Sequence, residues 1–280
     1  MGRHATDLPG KQRAQLMLGE HAGLATARDA EKFLAGVAIA LRYGPSDALP
    51  LASMYQATWR QAGKRAPETE RDAQRRATTL TSALIEQGTA IEINVIAERL
   101  AVVHVAVAPA VITLRRRGAR PGDLELSDTA RRVLGFVRDA DRPTAGQVRA
   151  HLGVPPKTWP NPADSALAEL QRALLVDRGP AEVPETGSPY LAKDGIPYRV
   201  FDRVHAGLVN QAGKLAVADA ASQLVFAYVA GAVFARRSKL ASMFKLCLSR
   251  AELDAAVAQL VAARRLAITR LDGKEAIVAA

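Results

Sequence analysis

The chain contains little cysteine, few aromatic residues and no long uninterrupted apolar run. Its single cysteine, Cys247, excludes a disulfide framework within one chain and favours a reducing compartment. Aromatic residues make up only 5% of the sequence, so few side chains are available to stack on a nucleobase, and the candidates are Trp59, Trp159 and Tyr190. The most apolar stretch, residues 100–114, is too short to span a bilayer. Because the first 30 residues show no secretory signal, a cytoplasmic location is expected.

Acidic residues are also too few to balance the basic ones. The 280 residues include 38 lysines and arginines against 28 aspartates and glutamates, which gives a formal net charge of +10. A protein this basic is expected to meet a polyanion, usually nucleic acid, although the composition alone also fits a basic protein without such a partner. Hydrophobic residues at 49% and charged residues at 24% are typical of a globular protein with a substantial core.

The signatures of common catalytic classes are missing from the sequence. It has neither a glycine-rich phosphate loop nor a Gly-x-Ser-x-Gly nucleophile elbow. The five histidines lack the spacing of metal ligands, and only one cysteine is available to assist them. We therefore expect no metal and no cofactor. Cys247 is expected to be a small buried hydrophobic residue, because no histidine lies near it in the sequence.

One pentapeptide occurs twice with a single change, at residues 51–55 (LASMY) and 240–244 (LASMF). Internal repetition indicates a repeated structural unit. Each copy follows an apolar helix pattern and precedes a second helix that leads into a short alternating stretch. This order of helix, short helix, helix and hairpin is typical of a winged helix-turn-helix module. We expect both copies on the short second helix, with leucine and methionine filling the core.

The sequence is predicted to fold mainly as α-helix with small β-hairpin wings, in three tandem winged helix-turn-helix modules. Apolar periodicity marks the helices, and alternation over residues 91–95 marks the first wing. Asp272-Gly273 is a preferred turn for the last wing. The predicted boundaries are a flexible N-terminal tail over 1–25, winged helix 1 over 26–114, a basic linker over 115–124, winged helix 2 over 125–205 and winged helix 3 over 206–280.

Helix starts are signalled most clearly in the second and third modules. Ser127 and Asn161 suit N-cap positions, and Pro162 suits a first helical turn. Trp159, beside two prolines at one of these starts, is expected to be a structural wedge under the helix. Capping boxes are predicted for two further helices, at Thr144 with Gln147 and at Ser249 with Glu252.

Four segments are more distinctive, at residues 31–34 (EKFL), 49–55 (LPLASMY), 126–132 (LSDTARR) and 166–172 (ALAELQR). Together they resemble the bacterial winged-helix proteins related to AlkZ and YcaQ, which are DNA glycosylases that release alkylated or crosslinked bases. The resemblance spans most of the chain and implies tandem winged helices that bind DNA. Active members of this family carry a Gln-x-Gln motif that positions the hydrolytic water. None of the eleven glutamines here has that spacing, so the resemblance implies the fold and DNA binding without the activity.

Basic side chains near the third helices and the wings are the predicted DNA contacts. In a winged helix the third helix enters the major groove with its N-terminal turns, and the wing touches backbone or minor groove. Each cluster taken alone also fits a solvated surface. Because the second module's third helix begins with Pro162 and Asp164, that module is expected to be a spacer or a protein contact. The predicted DNA contacts are Arg71, Arg75, Arg76, Arg115, Arg116, Arg117, Arg236, Arg237, Lys239 and Arg250.

The favoured function is duplex DNA binding by a monomer associated with the nucleoid, in the setting of DNA repair, with no membrane and no small-molecule cofactor. Three alternatives stay open: a glycosylase with a non-standard catalytic motif, a dimeric transcription regulator, and a protein-interaction scaffold. For the enzyme, the catalytic candidate is Glu169, whose carboxylate would aim a water at the glycosidic bond. A glutamate on a helix is more often a solvated surface residue.

Overall fold

Helices predominate in this protein, and its strands form small sheets. The computed structural model contains sheets of four, two and three strands within the residues it describes. This architecture confirms the expectation of a mainly α fold with small β-hairpins. The described residues are 7–18, 23–44, 51–59, 69–97, 99–155, 158–181, 183 and 195–280.

Unit 1, residues 27–104, follows the short helix α1 (Leu8–Gln15). Its four-stranded sheet has the order β2-β1-β4-β3, in which β1 is parallel to β2 and every other pair is antiparallel. Helix α5 (Ala108–Arg116) leads out of this unit. The elements of unit 1 are α2 (Ala27–Val37), β1 (Ile39–Leu41), β2 (Ala52–Ser53), α3 (Met54–Thr58), α4 (Glu70–Glu86), β3 (Ala90–Ile96) and β4 (Arg99–His104).

Unit 2, residues 128–200, begins after a single 3-10 turn over Pro121–Asp123. Strands β5 and β6 pair antiparallel, and Thr144 forms an isolated bridge to Pro197 beside them. The elements of unit 2 are α6 (Asp128–Asp139), α7 (Ala145–Leu152), α8 (Pro162–Arg172), β5 (Val176–Arg178) and β6 (Tyr198–Val200).

Unit 3, residues 217–279, follows two short connecting helices, α9 (Phe201–Val204) and α10 (Ala206–Ala212). Its sheet has the order β7-β9-β8, and the β8–β9 hairpin turns at Asp272 and Gly273 as predicted. The elements of unit 3 are α11 (Val217–Gly231), β7 (Phe234–Arg236), α12 (Arg237–Phe244), α13 (Arg250–Ala262), β8 (Leu266–Leu271) and β9 (Lys274–Ala279).

Units 1 and 3 share one order of elements. A helix is followed by a short strand, two further helices and a hairpin, and unit 1 has a second short strand, β2, before its second helix. In both units the first short strand pairs with the last strand of the hairpin. Unit 2 has the same three helices and hairpin, with the single bridge at Thr144 in place of the short strand. The same chain path therefore recurs three times along the sequence.

Local capping determines where many of these helices begin. The hydroxyls of Ser127, Thr144 and Ser249 accept hydrogen bonds from the third amide of their helices, and both predicted capping boxes form. Asn161 caps α8, with Pro162 in the first turn. These starts match the sequence predictions because a cap involves only residues three positions apart.

Units 1 and 3 are joined by a common hydrophobic core, whereas unit 2 has a core of its own. One face of the unit 1 sheet packs with α5 and with the helices of unit 3 in a single buried cluster. The other face packs with α2 and α4. The backbones of units 1 and 3 approach closely at Gly231, because a Cβ placed on this residue would lie 2.2 Å from the carbonyl oxygen of Val37. Only glycine fits at this position without a backbone shift.

The N-terminal segment and the linker differ from their sequence predictions. Residues 8–15, expected in a flexible tail, form α1, and the buried amide of Gln12 donates to the carbonyl of Ala232 at 2.6 Å and of Phe234 at 3.1 Å. Arg115 and Arg116, expected in a linker, lie on the last turn of α5. In both places, packing against unit 3 stabilises helix where the sequence showed no regular pattern.

The two pentapeptide copies occupy different positions in their units. The second copy lies within α12, as predicted, but the first spans β2 and the start of α3. Ser53 is the buried N-cap of α3, whereas Ser242 is exposed and donates to the carbonyl of Lys239 at 2.8 Å. The leucine and methionine of both copies are buried. Both copies pack in the core, but they occupy different positions relative to the helices of their units.

Candidate nucleic-acid interface

The N-terminal half of α4 carries the first predicted cluster of DNA contacts. Arg71 is exposed, while Arg75 and Arg76 are half-buried. Arg71 and Arg75 share one face of the helix, because they are four residues apart. The same turns carry two acidic residues, and a hydrogen bond from Thr69 lowers the pKa of one of them, Asp72. The surface is therefore mixed in charge, with three arginines against two carboxylates.

Arg236 and Arg237, predicted to contact DNA, fasten the start of α12 to the β8–β9 hairpin. Arg236 donates to the carbonyl of Leu271 at 2.9 Å and to the carboxylate of Asp272 at 2.7 Å. Arg237 donates to Glu275 at 2.9 Å, and this bond raises the pKa of its guanidinium. Both cations thus hold the hairpin in place.

Lys239 and Arg250 stay at the surface of unit 3. Lys239 is exposed on α12. Arg250 Nε donates to Asp254 Oδ2 at 2.9 Å, yet 66% of the arginine side chain is accessible. Hydrogen bonding from Arg250 lowers the pKa of Asp254, which favours the ionised carboxylate. These two cations are the accessible part of the cluster predicted in this unit.

Arg115 and Arg116 link the end of α5 to unit 2 and its connector. Arg115 donates to the carbonyl of Arg172 at the end of α8. Arg116 donates to the carbonyl of Leu174 at 2.8 Å and pairs with Asp202 on α9. These two guanidiniums satisfy groups within the protein and join segments far apart in the sequence.

Arg117 makes the corresponding link to unit 3. Its guanidinium binds both carboxylate oxygens of Glu252, at 2.6 and 3.0 Å, and donates to the carbonyl of Cys247 at 2.8 Å. The hydrogen bond from Arg117 lowers the pKa of Glu252 to about 2. Arg117 itself has a left-handed backbone, with φ of 47°, at the end of α5. A bidentate pair of this kind is among the stronger ionic contacts in proteins.

The predicted contacts therefore divide into two groups of five. The cross-linking arginines bind carbonyls and carboxylates within the protein, between units or between elements. The surface cations lie on α4, α12 and α13. The cross-linking arginines are Arg115, Arg116, Arg117, Arg236 and Arg237. The surface cations are Arg71, Arg75, Arg76, Lys239 and Arg250.

Glu169, the candidate catalytic carboxylate, holds the start of another helix. Its Oε1 accepts from the backbone amide of Ser127 at 2.8 Å, and its Oε2 accepts from the Ser127 hydroxyl at 2.7 Å. The backbone bond is the main cause of its lowered pKa, with the hydroxyl bond adding to it. Both oxygens are engaged at the N-terminus of α6, which gives Glu169 a structural role.

The candidate stacking aromatics lie in different environments. Trp159 is 92% exposed, so its expected role as a wedge under α8 is wrong. Trp59 is half-buried and contacts the edge of Tyr55, with ring centroids 5.6 Å apart. Tyr190 lies outside the described residues. Cys247 is buried as expected, and burial raises its pKa to about 11.

A buried ion pair in unit 1 was not indicated by the sequence. Arg42 Nε lies 2.7 Å from Glu92 Oε1, with 3% and 1% of the two side chains accessible. Burial tends to lower the pKa of nearby Arg178, but Tyr198 and Glu92 outweigh that effect and raise it. Glu92 alternates with isoleucines on β3, a pattern that predicts a solvent-facing residue. It is buried because both faces of the sheet are covered.

A second buried ionic group lies between β5, β6 and α9. Asp177 accepts from Arg199 Nη2 at 2.5 Å, and His205 Nε2 lies 2.6 Å from the same oxygen. Burial alone raises the pKa of Asp177, but the bonds to His205 and Arg199 outweigh it and lower the pKa. No local sequence pattern predicts this cluster, because its members meet only when the hairpin forms.

The described part of the chain contains neither a metal-binding cluster nor a membrane-spanning helix. Among residues 7–18, 23–44, 51–59, 69–97, 99–155, 158–181 and 195–280, no group of three or more histidine, cysteine, aspartate or glutamate side chains is placed to hold a metal ion. In the same ranges no helix is both long enough and apolar enough to cross a membrane.

The overall fold is that of a known DNA glycosylase. A similar solved structure is AlkZ from Streptomyces sahachiroi, with a TM-score of 0.57, 13% sequence identity, and coverage of 100% of this chain and 70% of that chain. No protein-family model and no curated protein sequence matches the chain. The likeness in fold supports the relation to AlkZ- and YcaQ-like proteins that the sequence motifs indicated.

Proposed function

We propose that this protein binds duplex DNA through three tandem winged helix-turn-helix modules, one in each unit. The observation that carries the proposal is the recurring chain path of three helices and a hairpin, with an exposed arginine, Arg71 or Arg250, in the first turn of two of the third helices. In such modules the third helix enters the major groove. A net charge of +10 supplies the long-range attraction to a polyanion.

The surface cations are the proposed phosphate contacts. Arg71, Arg75 and Arg76 on α4 and Arg250 on α13 lie in the N-terminal turns of third helices, and Lys239 lies on the preceding helix of unit 3. Contacts of this type give affinity and register without reading sequence. The cross-linking arginines have a different proposed role: they hold the three units in one arrangement, so that the DNA-facing helices act together.

DNA repair is the proposed setting for this binding. AlkZ, which shares the fold, is a DNA glycosylase, and this supports DNA as the partner. Binding without hydrolysis is favoured over glycosylase activity because the carboxylate of Glu169 is engaged at a helix start. Release of bases from an alkylated duplex by the unaltered chain would instead establish the enzyme.

The proposal is tested by fluorescence anisotropy with a short labelled duplex and the full chain. Between about 50 and 200 mM salt, affinity should fall on the order of a thousandfold if roughly six phosphates are engaged. In the triple variant Arg71→Ala, Arg75→Ala, Arg76→Ala, the slope of log affinity against log salt should decrease by about 0.9 for each lost contact. Absence of binding at low salt would refute the proposal.

A matched control separates specific contacts from loss of net charge. Arg132, Arg138 and Arg203 are exposed on α6 and α9, outside the proposed contacts. Replacing all three with alanine removes the same charge and should leave the salt slope within about 0.5 of the parent, less than one phosphate contact. Light scattering on the same samples distinguishes a monomer from a dimeric regulator, whose two-fold symmetric sites need two copies.

A further inference from the structure

A cavity of about 550 Å³ lies where the connecting segments of the three units meet. Its walls come from the end of α5, the following turn, α10 and the start of α11. This volume falls within the range of roughly 300–1,000 Å³ that is typical of sites for small organic ligands. A smaller cavity of about 160 Å³ adjoins it across Arg116 and shares part of the same wall.

The wall of the larger cavity is basic on one side. Arg116, Arg117 and Arg120 line it, and Asp202 is its only acidic residue. Arg116 is paired with Asp202, and Arg117 is paired with Glu252 outside the cavity. The guanidinium of Arg120 makes no hydrogen bond or ion pair with the residues that the structure describes. One cation of the wall is thus available to an anion.

The opposite side of the cavity is apolar. Ile112 on α5 and Val209 on α10 line it, together with Leu215 and Val217 at the start of α11. Ala216, the N-cap of α11, also lines the cavity and gives the first turn of this 15-residue helix no side-chain cap. The amide groups of an uncapped first turn favour a nearby negative charge. This turn also carries one acidic residue, Asp219, which is exposed and does not line the cavity. The cavity thus combines an apolar surface with a positive charge that comes from its arginines.

We propose that this cavity is a binding site for a small organic anion, with an apolar ring or chain and one carboxylate, sulfonate or phosphate group. The acidic group would pair with Arg120 and lie near the start of α11, while the apolar body packs on Val209, Leu215 and Val217. Because Arg116 and Arg117 join the same wall to units 2 and 3, the ligand occupies the junction that sets the arrangement of the units.

The test uses anilinonaphthalene sulfonate, a fluorescent probe with an aromatic body and one sulfonate, titrated into the full chain. We expect saturable binding at one site. In Arg120→Glu the dissociation constant should rise at least about tenfold, since a charge-assisted hydrogen bond is replaced by repulsion. Arg132→Glu, an exposed position outside the cavity, makes the same charge change and should bind as the parent does.

A second pair of variants tests the cavity itself. Ala216→Trp fills it, whereas Ala218→Trp adds the same side chain at an exposed position of the same helix turn that does not line it. Only the first should abolish probe binding, with thermal unfolding of both variants confirming that they fold. Binding within about twofold of the parent in both Arg120→Glu and Ala216→Trp would overturn the proposal, because twofold is only about 0.4 kcal/mol.

Duplex DNA added to the probe complex distinguishes a small ligand from a nucleic-acid phosphate. Probe fluorescence that persists at saturating DNA supports a separate ligand site. Competitive displacement, with the same Arg120→Glu variant losing DNA affinity, would assign the cavity to the DNA backbone and overturn the small-ligand proposal. The probe titration is carried out without DNA, so it tests the ligand site even if the protein does not bind DNA.

Discussion

The hairpins of units 1 and 3 have the same place in the chain path and opposite surroundings. Strand β3 is buried along nearly its whole length and contacts α12, α8 and β5 of the other units. At its end, the amide of Ala97 donates to the carbonyl of Met243 at 2.7 Å. By contrast, most residues of β8 and β9 are exposed or half-buried, and 47% of Ile268 is accessible.

This difference shows how one motif serves two purposes in one molecule. The β3–β4 hairpin forms the surface on which unit 3 docks, so it is unavailable to an external partner over most of its length. The β8–β9 hairpin packs on its own unit with one face and leaves the other to solvent. Unit 3 therefore offers the accessible hairpin, while unit 1 offers the third helix with more arginines.

The largest expected difference in stability is between the loss of an ion pair in one hairpin and the loss of an ion pair in the other. Glu92→Gln leaves Arg42 buried with no charged partner and should lower the free energy of unfolding by about 3–5 kcal/mol. Asp272→Asn breaks the pair with Arg236 at a position where 75% of the aspartate is accessible, and should cost less than about 1 kcal/mol. Urea unfolding at neutral pH measures both. Equal losses would contradict the contrast between the hairpins.

The second prediction compares the same substitution, isoleucine to alanine, in each hairpin. Ile93 on β3 is 1% accessible, so Ile93→Ala should destabilise the protein by about 2–5 kcal/mol through lost burial and a cavity. Ile268→Ala on β8 should change stability by about 0.5 kcal/mol or less, as is usual for a surface position. Chemical unfolding of the two variants in parallel is the measurement. A loss above about 2 kcal/mol for Ile268→Ala would show that the β8–β9 hairpin is covered.

A smaller effect concerns the ion pair that ties α5 to unit 3. The pKa of Glu252 falls from an ordinary 4.5 to about 2 in the folded protein. A carboxyl group whose pKa is lower in the folded than in the unfolded chain stabilises the fold at pH values above its unfolded pKa. This contribution is lost as the pH falls towards 2. Glu252→Gln should remove that part of the acid dependence and flatten the stability profile below about pH 4.5. Unfolding midpoints of parent and variant across this range provide the check, and parallel profiles would contradict it.

The smallest effect tests whether the accessible hairpin of unit 3 adds a phosphate contact to those proposed above. Lys274 lies at the tip of the β8–β9 hairpin and is exposed, and Arg99 lies at the corresponding end of β4. Lys274→Ala should reduce the salt slope of duplex binding by about 0.9, whereas Arg99→Ala should leave it unchanged. Anisotropy titrations at several salt concentrations measure both slopes. A larger decrease for Arg99→Ala would show that the hairpin of unit 1, and not that of unit 3, contacts DNA.

Helix starts and the last hairpin could be predicted because their signals are local. The hydroxyl of Ser249 meets an amide three residues away, and the turn at Asp272 and Gly273 needs only its own two residues. Strand β1 was missed for the opposite reason. It is three residues long and exists through pairing with β4, which lies more than 50 positions further along the chain.

The sequence predicted which residues belong to the candidate site, but it predicted the roles of only some of them. All ten basic residues could be named from charge and position, yet Arg117 binds Glu252, 135 positions away, and Arg236 binds the hairpin. An arginine on a helix end looks the same in sequence whether its partner is a phosphate or a carboxylate of the protein. Glu169 shows the same ambiguity, since its partner Ser127 is 42 positions away.

The sequence by itself determined the mainly helical class, the helix caps, the basic charge and the relation to AlkZ- and YcaQ-like proteins. These depend on composition and on contacts within a few residues, which any arrangement of the units preserves. Only the tertiary structure decided which arginines are engaged within the protein, that Glu92 and Asp177 are buried, and that one hairpin is covered while the other is accessible. Each of these depends on surfaces brought together from distant parts of the chain, where burial removes water and makes an internal partner necessary for a charge.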